Sequence, residues 1–89
     1  MFKMWVKLVD EQNHLIQDVV ISDDSQDTRT HKVFGAVASA CREFNLGTPI
    51  WLDCSKRDFQ QFSKVRFYQD NFIDKIDFDY MEVQMLEED

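Results

Sequence analysis

Proline and glycine are scarce. One Pro and two Gly in 89 residues leave little room for linker or low-complexity chain, so the whole stretch 1–89 reads as one ordered domain. Cysteine is equally sparse. Cys41 and Cys54 stand alone, which excludes the disulfide framework of small secreted domains and fits a reducing compartment. No apolar run approaches the roughly 20 residues that span a bilayer. Residues 1–5 (MFKMW) lack the apolar stretch and small-residue site of a signal peptide. A cytoplasmic protein with no membrane segment is expected. Positive charge is short as well, with ten Lys and Arg against seventeen Asp and Glu and a net charge of -7. A field of that sign repels phosphate backbones and anionic lipid, so nucleic acid is not an expected partner.

What is present is material for a core. The hydrophobic fraction is 44% and the aromatic fraction 13%, well above what a disordered acidic chain carries. Phe2, Met4, Val6 and Leu8 alternate with Lys3, Trp5, Lys7 and Val9, the period of a strand with one face on a core. Asp10 to Asn13 is a polar turn. Residues 14–22 resume strand character through Leu15, Ile16, Val19, Val20 and Ile21, and the two runs together read as a β-hairpin.

After a polar loop ending in the capping residues Asp27 and Thr28, the period changes. Val33, Phe34, Val37, Ala40, Cys41 and Phe44 recur at helical spacing and form one apolar stripe. Gly35 within that helix costs about 1 kcal/mol against Ala, which suggests a packing reason for it. Asn45 to Pro49 ends the helix, with Gly47 available for a left-handed cap. Ile50, Trp51 and Leu52 read as a short buried strand. Ser55 is placed to cap a second, shorter helix with Phe59 and Phe62 inward, and Val65 to Tyr68 reads as an edge strand.

Near the C-terminus, Ile76, Phe78 and Tyr80 share one parity while Met81, Val83 and Met85 share the other. A one-residue slip moves every side chain across a sheet, so a break near Tyr80 is expected. The final strand is assigned to 79–86 and 72–78 to an approach loop. The resulting class is α+β, a mixed four- or five-stranded sheet on one long and one short helix, in the order β-β-α-β-(α)-β-β.

That order, with a long helix after an N-terminal hairpin and a last strand free to return beside the first, resembles the ubiquitin-like β-grasp. The conjugating members of that family end in a Gly-Gly tail, whereas this chain ends Glu87, Glu88, Asp89, so the resemblance implies no modifier or sulfur-carrier role. A second resemblance is local. Residues 27–34 (DTRTHKVF), 49–53 (PIWLD), 66–72 (RFYQDNF) and 76–82 (IDFDYME) resemble a small family of uncharacterised bacterial proteins, which implies a bacterial, cytoplasmic protein and no particular activity.

Candidate chemistry is thin. Cys54 follows an apolar run and precedes a helix, a setting that favours thiolate, yet Gln60 stands where a phosphatase-type loop needs Arg. No catalytic residue is assigned. His14, His31, Cys41 and Cys54 lack the close pairing of zinc ligands, and Asp74, Asp77 and Asp79 lack the spacing of a calcium loop, so no metal or cofactor is expected. Lys56, Arg57, Lys64 and Arg66 interleave with Phe59, Phe62, Phe67 and Tyr68 in the manner of a single-strand-binding face, but the helical spacing of the Phe residues favours a core role.

Two binding hypotheses remain. Thr28, Arg29, Thr30, His31 and Lys32 place hydroxyls and cations in the first turn of the main helix, where backbone donors suit a small anion or nucleotide. Trp5, on the Lys3/Lys7 face, is a candidate anchor for a protein partner. The expected function is a non-enzymatic interaction module, self-associating through the sheet face or an edge strand. An anion-binding regulatory domain is the first alternative, and an acidic DNA-mimic inhibitor the second.

Overall fold

Alternation in the first residues produces β1 (Lys3–Val9), and the second run forms β2 (Leu15–Ser22) antiparallel to it. This is a computed structural model, and it describes residues 1–88. The hairpin closes on Asp10, whose carboxylate accepts from the backbone N–H of Gln12 and His14, with Asn13 in the left-handed conformation. Asn tolerates that conformation better than most residues.

The main helix, α1 (Arg29–Phe44), begins where the capping residues are. Thr28 Oγ1 accepts from the His31 N–H, and Asp27 accepts from the Thr28 N–H. Its stripe buries Val33, Ala36, Val37, Ala40 and Cys41 against the sheet. Each large apolar side chain so buried stabilises by roughly 1.5–3 kcal/mol. Phe34 departs from the expected stripe, lying 40% exposed at its margin. The cap is Asn45 at φ 59°, not Gly47, and its N–H reaches the Arg42 and Cys41 carbonyls. Gly35 is exposed, and a Cβ built there meets nothing within 4 Å, so close packing is not why it is glycine.

The run Ile50, Trp51, Leu52 is not a strand. It crosses from α1 to α2 (Asp53–Phe62), and its backbone is held by a single clamp instead of a ladder. The Ile50 N–H donates to the Asn71 carbonyl at 2.7 Å, and Asn71 Nδ2 donates to the Ile50 carbonyl at 3.1 Å. Trp51 fills the space beneath, making edge contacts with Phe34, Phe59 and Phe67 at centroid distances of 5.4, 5.8 and 4.9 Å. Helix α2 starts two residues before Ser55, which is buried in its first turn. Phe59 faces inward, whereas Phe62 falls off the stripe and is 59% exposed.

Next come β3 (Lys64–Phe67), a 3-10 turn (Gln69–Asn71) and β4 (Tyr80–Glu87). β4 starts at the residue where the two parities conflict. Among the described residues the sheet has four strands in the order β2-β1-β4-β3, and every pairing in it is antiparallel. The α+β class and the return of the last strand beside the first are therefore as expected. The sheet is not mixed, because the segment that would have supplied a fifth strand is a loop.

Phe2, Met4, Val6 and Leu8 of the first strand meet Val65, Phe67, Met81, Val83 and the α1 stripe in one core, with Phe59 from α2. Both helices thus cover the same face. Among the described residues no helix is long and apolar enough to cross a membrane.

Candidate functional site: the bare sheet face and its open edge

With both helices on one side, no helix among the described residues covers the other face of the sheet. The registers place Asp18, Lys7, Glu82 and Arg66 in one row across all four strands, alternating in sign. Lys7 Nζ lies 2.9 Å from Glu82 Oε2, and Arg66 Nε lies 3.3 Å from Glu82 Oε1. Flanked this way, Glu82 is 8% exposed although no helix covers it. Burial alone would raise its pKa, but hydrogen bonding and charge from Lys7, and then from Arg66, hold it below the usual carboxylate value. Arg66 also lies 4.6 Å over the Tyr80 ring, and Tyr80 donates to Asn13 Oδ1 at 2.7 Å, which ties β4 to the hairpin loop.

Trp5 belongs to this network. Its indole N–H donates to Asp18 Oδ2 at 2.7 Å, and Lys7 Nζ sits 4.0 Å over its ring. It is half-buried against its own hairpin.

The two edges of the sheet differ. At the β3 edge, the Ser63 carbonyl accepts from the Met85 N–H, so Val65 and Phe67 bond to β4 by alternation. Lys64 and Arg66 then occupy the outward positions of a four-residue strand, a cationic edge that discourages further pairing. The β2 edge is eight residues long and contains no Lys, Arg, Pro or Gly. At its end the Asp23 N–H donates to the Phe2 carbonyl, so Ile21, Val19 and Gln17 bond to β1. The backbone N–H and C=O groups of Asp18, Val20 and Ser22 accordingly point away from the sheet. Leu15, Ile16 and Val20 on this strand are 52%, 49% and 48% exposed.

The residues proposed for anion binding are brought together, and all but Thr30 are already engaged. Thr28 caps α1, His31 Nδ1 lies 2.9 Å from Asp27 Oδ1, Arg29 pairs with Glu88, and Lys32 is buried with its Nζ 5.7 Å from the Phe2 ring centre. Asp27 is held below the normal carboxylate pKa by the Thr28 N–H and then by His31, so it competes for the same donors. Arg29 and Thr30 also line a cleft of about 240 Å³ between the two helices, with Phe34, Trp51 and Lys56. Trp51 Nε1 is buried there without an acceptor among the described residues.

Cys54 is exposed in the first turn of α2, and Cys41 is core, its thiol pushed up to about 11 by burial. Among the described residues no three His, Cys, Asp or Glu side chains converge as a metal site would require. The basic residues of the single-strand-binding pattern are split between α2 and β3, and two of its aromatics, Phe59 and Phe67, are buried.

Sequence reasoning missed the Glu82 network and the open edge. The alternation of Tyr80 and Glu82 with Met81 and Val83 was a visible signal for the first, since it sets a carboxylate on the face opposite the core. The second had no local signal, because edge position depends on strand order.

The fold is a two-layer α+β arrangement with one bare, self-neutralised sheet face and one long open edge. Comparison with family models, curated proteins and solved structures finds no match to this chain.

Proposed function

We propose that this chain is a non-enzymatic protein-interaction module that self-associates by adding a strand at the β2 edge. The observation that carries the reading is the asymmetry of the two edges. One is short and lined by Lys64 and Arg66, while the other is long, has no Lys, Arg or Pro and exposes Leu15, Ile16 and Val20. An unpaired strand edge of this kind is a template for another strand, and main-chain hydrogen bonding is a recurrent mode of recognition. The charged groups of the bare face support the same reading, because Lys7, Glu82 and Arg66 satisfy one another and act as structure.

The test uses Val20→Pro. The Val20 N–H points away from β1, so proline there removes an outward donor without breaking the β1–β2 ladder, the position in which sheets tolerate it. Wild type should elute and scatter as a species of twice the 10.6 kDa chain mass, and Val20→Pro as a monomer with unchanged circular dichroism. Wild type that stays monomeric at high concentration would refute self-association.

A further inference from the structure

Resting on the reading that β2 self-associates, we infer that two copies join β2 to β2 in antiparallel register with the two-fold axis at Val20. A symmetric antiparallel pair brings residues i and j opposite when their numbers sum to a constant, and that constant must be even so that outward-facing groups meet outward-facing groups. Four registers pair five or more residues within the strand, with the axis at Gln17, Asp18, Val19 or Val20, and the Gln17 register sets Asp18 against the bulged Ile16.

The Asp18 register sets two carboxylates directly opposite, and like charges so placed destabilise a pair. It also draws Ile16 into the ladder. Ile16 is the extra residue at the β-bulge, since Leu8 pairs with Gln17 and Val9 with Leu15. The Val19 register places Asp18 opposite Val20 and Gln17 opposite Ile21, a polar residue against an apolar one each time. It too requires the bulged Ile16 for its outer hydrogen bonds.

The Val20 register has neither defect. Val20 meets its own copy, Val19 meets Ile21 on the core face, and Asp18 meets Ser22 on the bare face. Across residues 18–22 every apolar residue faces an apolar one and every polar residue a polar one. All the outward groups of Asp18, Val20 and Ser22 pair within regular strand. Asp18 has one oxygen committed to Trp5, and Oδ1 has no partner among the described residues. A Ser22 hydroxyl from the second copy can donate to it. Trp5 would then orient the carboxylate that receives the partner. The product is a continuous eight-stranded sheet with all four helices on one side.

Single cysteines read the register. Asp18→Cys, Val19→Cys and Val20→Cys are made separately with Cys54→Ser, the exposed native thiol being removed while buried Cys41 stays. Directly opposite residues are about 5.5 Å apart between Cα atoms, within disulfide reach, whereas 18 to 18 in the Val20 register are offset by four residues and out of reach. Under mild oxidation Val20→Cys should form a linked dimer at least tenfold faster than the other two. Preferential linking of Asp18→Cys or Val19→Cys would overturn this register and leave self-association standing. A dimer by light scattering that links at none of the three would place the interface elsewhere, and a wild-type monomer would sink both readings.

Discussion

Glu82 shows how a single residue can be central to a surface that looks passive. Its carboxylate is nearly buried between Lys7 and Arg66, and those two cations hold its pKa below the ordinary value of 4.5. A carboxylate whose folded pKa is lowered contributes stability that is fully present above the unfolded value and is lost as pH falls through the folded one. Wild type should therefore lose stability on acidification below about pH 4.5, and Glu82→Gln should flatten that part of the profile. At neutral pH the same substitution exchanges two charge-assisted contacts for weaker ones and should cost about 1.5–3 kcal/mol. Urea titrations at neutral pH and near pH 3.5 measure both effects, and equal acid sensitivity of the two proteins would contradict the assignment. Asn71 is a second residue with this kind of role. Its side chain accepts from the Tyr68 N–H and donates to the Ile50 carbonyl, and so it fastens the inter-helix loop.

At the scale of elements, α1 carries the clearest lesson about glycine. Gly35 lies in its interior, exposed, with nothing near the position of a Cβ. Gly35→Ala should stabilise the fold by about 0.5–1 kcal/mol through reduced backbone freedom in the unfolded chain. A fall in melting temperature would show that the glycine serves something other than helix geometry. The hairpin, this helix and the last strand were legible from periodicity, because each buries one face and period records burial. The break at Tyr80 was legible for the same reason, as two parities cannot share one face. Ile50, Trp51 and Leu52 misled because a short apolar run looks alike as a buried strand or as a plug between helices, and only tertiary contacts decide. Phe62 misled because spacing places it near Phe59 on the helix, while α2 is too short and peripheral to bury both. The anion-binding set was legible as a helix start. Its occupation by Asp27 and Glu88 was only half visible, since the Glu88 contact joins residues 59 apart in sequence.

The whole molecule carries a net charge of -7, and self-association has to work against it. Two copies side by side bring both acidic fields together, and Asp18 lies on the joining strand itself. Backbone hydrogen bonds and apolar contact between Val19, Val20 and Ile21 depend little on ionic strength. The repulsion depends on it strongly, with a screening length near 30 Å at 0.01 M salt and about 8 Å at 0.15 M. Salt should therefore tighten the β2–β2 dimer, the opposite of what steering between unlike charges produces. Sedimentation equilibrium across that range should give a dissociation constant that falls by several-fold as salt rises. Val20→Lys should lose the dimer at every salt concentration, because it sets two cations opposite each other in the Val20 register. A dissociation constant that rises with salt would mean that the copies meet through complementary charges. The alternating row of Lys7, Glu82 and Arg66 would then replace the β2 edge as the contact surface.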